Sequence, residues 1–158
     1  MNEVLIRAAT AADALPIIAI HTRSIRALCS DDYRKEQLEA WIGNRNPEDM
    51  AARLAMRPFL VAELDGKQIG YAAYNPDSRE LLAVFVDPDY ARQGVASMMM
   101  FQLLADARAN GLTSLWLDSS LTAVPFYESF GFKGVLETAH SFGGVPLECL
   151  RMELALTG

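Results

Sequence analysis

The chain has 158 residues, 51% hydrophobic and 22% charged, with 14 Lys and Arg against 20 Asp and Glu for a net charge of −6. That length predicts one domain over residues 1–158, able to bury its own core, and the composition excludes disordered and collagen-like chains. The acidic balance argues against nucleic acid as partner; no apolar run approaches the roughly 18 residues of a spanning helix and no signal-type apolar segment opens the chain, so a cytoplasmic protein without membrane contact is expected.

The elements follow in chain order. Val4–Arg7 reads as a short strand, and Thr10 with Asp13 as the capping pattern at a helix start. Leu15, Ile18, Ala19, Thr22, Ile25 and Leu28 recur at helical spacing through Cys29. Asp31 and Asp32 are expected to open a second helix that carries Leu38 and Trp41 and ends near Gly43. Pro47–Leu54 is a further short helical piece. From Phe59 the period changes: Phe59–Leu64 and Gln68–Tyr74 are strands around an Asp65-Gly66 hairpin. Leu81–Val86 is an apolar strand expected to be covered on both faces. A long helix follows Gly94, with Met99, Met100, Leu103, Leu104 and Ala107 on one face and Asn110-Gly111 as its stop. Ser114–Leu117 is a strand, Thr122–Phe130 a helix and Gly131–Leu136 the start of a strand. Gly143-Gly144 then turns into a last strand, Glu148–Leu156. Early hairpins and one later β-α-β crossover predict an α/β domain with a central sheet and helices on its faces.

Two stretches carry candidate chemistry. In the first, Val86-Asp87-Pro88-Asp89-Tyr90-Ala91-Arg92-Gln93-Gly94-Val95-Ala96-Ser97, a strand ends and a small-residue turn opens a long helix. The first amides of a helix lack intrahelical partners and sit at the positive end of its dipole. Gly94 and Ala96 would let a large anion approach them, and Arg92 adds a guanidinium, which together make a pyrophosphate cradle. A tight strand-to-helix turn with no ligand is the competing reading. A Walker loop is rejected because Val95-Ala96 stands where Lys-Ser or Lys-Thr is needed, and a dinucleotide fingerprint because Gly94 is alone. The second stretch, Ser120 to Phe132, is a short helix stopped by Gly131; alone, its Tyr127 reads as a core aromatic.

Together the two stretches resemble the GNAT superfamily of N-acetyltransferases. The V-x-P and x-x-G-x-G/A pattern matches at Val86, Pro88, Gly94 and Ala96, with Ala91 departing from the usual Gln or Arg. The F-Y-E-x-x-G-F signature matches at Phe126, Tyr127, Glu128, Gly131 and Phe132. His21-x-x-Ser24-Ile25, Tyr33, Gln37-Leu38 and Trp41 resemble an uncharacterised bacterial subgroup. The resemblance implies the GNAT-like fold, with a mixed, mostly antiparallel sheet and helices on both faces. It also implies acetyl-CoA as cosubstrate, with acetyl passing directly to a primary amine of a small molecule or peptide through a tetrahedral intermediate.

Implied site residues are the backbone of Val84, Phe85 and Val86 for the pantetheine arm. Arg92, Gln93, Gly94, Val95, Ala96 and Ser97 would hold the phosphates, Ser120 would meet the cofactor arm, and Tyr127 would act as acid to the leaving thiolate. His21 is the candidate base, with His140, Asp118 and Glu80 also near the expected pocket. Trp41 is read as a helix anchor, and Tyr33 as either anchor or pocket residue. Cys29, Cys149, His21 and His140 lack metal-ligand spacing, so no metal is expected, and the thiols read as reduced. The acidic surface slightly favours a cationic acceptor. A homodimer is left open, and the alternatives to an enzyme are an idle acyl-CoA sensor and a structural or interaction module.

Overall fold

The computed structural model describes residues 3–156. In chain order these form β1 (Leu5–Ala8), α1 (Ala14–Leu28), α2 (Lys35–Ile42), α3 (Pro47–Met56), β2 (Phe59–Leu64), β3 (Lys67–Asn75), β4 (Glu80–Val86), α4 (Val95–Ala109), β5 (Ser114–Ser120), α5 (Val124–Ser129), β6 (Lys133–Phe142) and β7 (Val145–Ala155). The strands make one sheet in the order β1-β2-β3-β4-β5-β7-β6. All neighbours are antiparallel except β4 and β5, which are parallel and joined by the α4 crossover.

Alternation along the central strands sorts the core into two sides. Val61 and Tyr71 pack with Ala14, Ile17, Ile20 and Met50 of α1 and α3. Their chain neighbours Ala62 and Ala72 pack with Met99, Leu103 and Leu104 of α4. Adjacent strand residues point to opposite faces, so helices cover both, as expected. The α4 stripe is buried as its spacing predicts, and Asn110 ends the helix.

Four expectations shift. The second helix begins at Lys35, not at Asp31 or Asp32, because the Arg34 amide donates to the Gln37 side chain at 2.9 Å and starts the helix there. The buried strip of α1 is Ile17, Ile20, His21, Ser24 and Ile25, while Leu15 and Leu28 are exposed. The polar His21 and Ser24 line a cleft, which a purely apolar periodicity does not register. In β4, Leu82 is exposed and Ala83, Val84 and Phe85 are only half-buried, so this strand is not covered along its length. Finally, β6 starts at Lys133 and runs on to Phe142; it is the sheet edge, paired only with β7 and largely exposed.

Candidate active site

The register of β4 explains where the cleft opens. Ala83 pairs with Ala73 and Leu81 with Tyr74, which leaves Leu82 as an extra residue. Such a bulge bends its strand and breaks the ladder locally. On the other side, β4 meets β5 at a single register pair, Glu80 with Trp116. Beyond it β4 stays on β3 as far as Val86, and β5 stays on β7 as far as Ser120. The strands part, and the edge of β4 from Leu81 to Val86 faces no strand. The cleft so formed has a volume of about 720 Å3. Val84, Phe85 and Val86 line one wall; Asp118, Ser119 and Ser120 line the other.

The N-terminus of the 15-residue α4 closes one end of this cleft, with Arg92, Gly94, Val95, Ala96 and Ser97 in its lining. Gly94 has φ +84° and Arg92 φ +62°, both left-handed. A Cβ built on Gly94 would meet nothing within 4 Å. The glycine therefore serves the backbone turn and leaves open space before the free amides of α4. No side chain caps this helix. These features fit the pyrophosphate of a CoA-type ligand. Gln93 stands apart from the predicted set: it does not line the cleft, and its amide donates to the Asp89 carbonyl at 3.4 Å. The turn is braced from α1, where Arg23 pairs with the buried Asp87 and with Asp89.

Tyr127, on α5, is buried against Phe126 and Phe132 and lines the cleft. Burial pushes its phenol well above the usual tyrosine range, so it holds its proton. The Ser120 hydroxyl accepts from the Ala123 amide at 3.3 Å, which starts the turn into α5 and leaves its own proton free to donate. Tyr33 is outside the cleft lining. Its hydroxyl donates to the Glu148 carbonyl and accepts from the Leu121 amide at 2.9 Å, so it is an anchor. Trp41 lines the cleft and contacts the rings of Tyr33 and Phe85.

His21 is 2% exposed, edge-on to Phe85, with Nδ1 3.2 Å from the Tyr71 hydroxyl. Its Nε2 is buried without a hydrogen-bond partner. Burial holds the imidazole down to about 3, the Arg45 and Arg53 cations add to this, and the Trp41 backbone opposes it. At neutral pH the ring is uncharged. Across the cleft, Asp118 receives Arg151 at 2.8 and 3.0 Å and His140 at 2.7 Å. Arg151 chiefly, with His140, holds the Asp118 carboxyl below the usual range, whereas burial and Asp118 raise Glu80.

The sequence reading did not single out Arg45, Arg53 and Arg57, which also line the cleft. Their signal was three cations and two acids, Glu48 and Asp49, between positions 45 and 57 of an otherwise acidic chain. Tyr71, which touches His21, was also missed because it stood in a run of strand residues. Among the described residues no three His, Cys, Asp or Glu side chains gather as a metal site, and no helix is long and apolar enough to cross a membrane.

Residues 29–156 match the acetyltransferase (GNAT) domain family. The chain is 30% identical over 135 residues to the uncharacterised N-acetyltransferase YafP of Escherichia coli K12, covering 85% of each protein. It superposes on a GCN5-related N-acetyltransferase from Rhodopseudomonas palustris with a TM-score of 0.91 at 30% identity, covering 98% of this chain and 97% of that one. A PaiA N-acetyltransferase from Thermoplasma acidophilum, solved in complex with coenzyme A, shares the fold at TM-score 0.79 and 20% identity, covering 97% and 99%. With a parted β4–β5 pair ending on an uncapped helix, this chain belongs to the GNAT family of acetyl-CoA-dependent acetyltransferases.

Proposed function

We propose that this protein acetylates a primary amine of a small molecule or peptide directly from acetyl-CoA, with Tyr127 and His21 as its working side chains. The observation that carries the reading is one continuous cleft that holds the α4 amides, the unpaired edge of β4, the Tyr127 phenol and the His21 imidazole. In the reaction, the amine nitrogen bonds to the thioester carbonyl carbon, the C–S bond breaks, and the proton lost by nitrogen balances the one gained by sulfur.

The residues divide this work. Uncapped amides at Val95 and Ala96, with Arg92 beside them, suit the phosphates. The free groups of Val84, Phe85 and Val86 offer strand-like hydrogen bonds to an extended amide arm. A free N–H there also suits the developing oxyanion. The Tyr127 phenol, kept protonated by burial, donates to the departing sulfur. A tyrosinate left in that apolar site would be costly, so the phenol works as a hydrogen-bond donor, with proton transfer late. His21 lines the cleft and is neutral at pH 7, so its imidazole orients the amine by hydrogen bonding and does not carry a positive charge beside it.

Thermal unfolding in a titration of acetyl-CoA, with dephospho-CoA and ATP as controls, tests the reading. Saturable stabilisation by acetyl-CoA, followed by thiol release when amines are added, is expected. Stabilisation with no thiol release from any amine would favour a sensor, and no stabilisation at millimolar acetyl-CoA would overturn CoA binding itself.

A further inference from the structure

Five arginines pair with carboxylates: Arg7 with Asp13 and Glu63, Arg23 with Asp87 and Asp89, Arg26 with Glu39, Arg34 with Glu36, and Arg151 with Asp118. Arg45 and Arg53 have no ion pair or hydrogen bond among the described residues. Arg45 lies between α2 and α3, Arg53 on α3, and both line the cleft on the side of His21, Tyr71 and Trp41. Arg53 is close enough to add to the electrostatic cost of Arg45, and both act on His21 and Tyr71. Arg45 is half-buried and its Nε is wholly enclosed with no acceptor.

That arrangement is unfavourable as it stands. A buried guanidinium N–H without an acceptor forfeits its hydration, and a second like charge adds repulsion. Nothing on the neighbouring elements relieves it. Asp49, one turn before Arg53, has its carboxylate on the Asn46 amide at 2.9 Å. Glu80 acts on Arg57 and on the Asp118 side of the cleft. In a chain with 20 acids for 14 bases, no carboxylate among the described residues pairs with either arginine. An oxyanion entering with the acceptor would satisfy both guanidinium forks.

Resting on the acetyltransferase reading, we infer that the acceptor is a small amine that also carries an anionic group, a carboxylate or phosphate-type oxyanion, bound by Arg45 and Arg53. The rings of Trp41, Tyr71 and Phe85 line the same cleft, Phe85 touching the other two, and they give the acceptor body an apolar or aromatic wall. The same pair repels polyamines and aminoglycosides, so the charge facing the acceptor is opposite in sign to the net charge of the chain.

The test is a panel of free amino acids and aminophosphonates, each assayed against its uncharged amide or decarboxylated amine by thiol release from acetyl-CoA. The anionic member of a pair is expected to have the higher kcat/KM by about tenfold to a hundredfold, mostly through KM. Arg45→Gln and Arg53→Gln should each reduce that preference while leaving the thermal stabilisation by acetyl-CoA unchanged. Equal or better turnover of the uncharged partners would overturn the inference, as would peptides outcompeting every free amino acid. So would variants that slow charged and uncharged members alike, because that is what a purely structural arginine does. Failure of acetyl-CoA to stabilise the wild-type protein would instead overturn the underlying reading, and the acceptor assignment with it.

Discussion

Among the described residues Glu80 and Trp116 are the one register pair joining β4 to β5, and Trp116 is anchored at that point. Its amide donates to the Arg79 carbonyl at 3.0 Å, its ring N–H to the Ser78 carbonyl at 2.9 Å, and the Arg151 guanidinium lies 4.5 Å from the ring centre. The apex of the cleft is thus pinned by one side chain. Trp116→Ala is expected to lower the unfolding free energy by about 2 kcal/mol, less than a fully buried tryptophan would because this one is half-exposed. Acetyl-CoA binding should weaken with it. Urea unfolding and a cosubstrate titration check both, and a variant of unchanged stability would show that the pin is unimportant.

Gly94 and Gly111 offer a matched pair at the two ends of α4. Their φ angles are +84° and +81°, and a Cβ at either would meet nothing within 4 Å. Alanine at each should cost a similar 1 kcal/mol or so of stability, from the left-handed backbone alone. Only Gly94 lines the cleft. Gly94→Ala should therefore also reduce the acetyl-CoA-induced shift in Tm, whereas Gly111→Ala should leave that shift intact. Equal shifts in the two variants would remove the phosphate role from the α4 turn.

Asp13 sits 1% exposed and receives Arg7 through two bonds of 2.8 Å, with Gln68 and the Thr10 amide also at 2.8 Å. The Arg7 guanidinium holds this carboxyl well below the usual range, against the opposing effect of burial. A folded-state pKa below the unfolded value means the stabilisation is complete at neutral pH. It begins to fade as pH falls through about 4 and is lost below the folded value. Asp13→Asn should cost about 2 kcal/mol at pH 7. The gap between wild type and variant should narrow as unfolding is repeated towards pH 3; a gap that widened on acidification would contradict the sign.

What the sequence could and could not disclose follows from which forces were local. The α4 stripe from Met99 to Ala107 and the Asn110-Gly111 stop depend on spacing within one helix, and both were legible. The two cleft motifs were legible because the turn at Gly94 and the stop at Gly131 need glycine at positive φ. The register of β4 was not. The extra residue Leu82 shows only against Ala73 and Tyr74, the partners of its two neighbours, nine and eight residues earlier across a turn. Tyr33 remained ambiguous because its hydroxyl partners, Glu148 and Leu121, lie far along the chain. Arg45 and Arg53 drew no reading for the same reason: their place in the cleft and their lack of a paired carboxylate are properties of the folded chain.

Tyr127 supplies the sharpest separation between binding and chemistry. Its ring is held by Phe126 at 5.3 Å and Phe132 at 5.7 Å between centroids, contacts that phenylalanine would keep. Tyr127→Phe should therefore leave folding and acetyl-CoA affinity close to wild type. If the proposed acid role holds, loss of the hydroxyl should lower kcat by about a hundredfold, the lower end of the range for a positioned acid. Because burial raises the wild-type phenol, its ionisation should not limit the rate until above the ordinary tyrosine value near 10. Steady-state rates between pH 7 and 10, taken beside the affinity, decide the matter. An unchanged kcat in the variant would return Tyr127 to a packing role, and an alkaline loss of activity well below pH 10 that vanished in the variant would show a phenol less shielded than its burial implies.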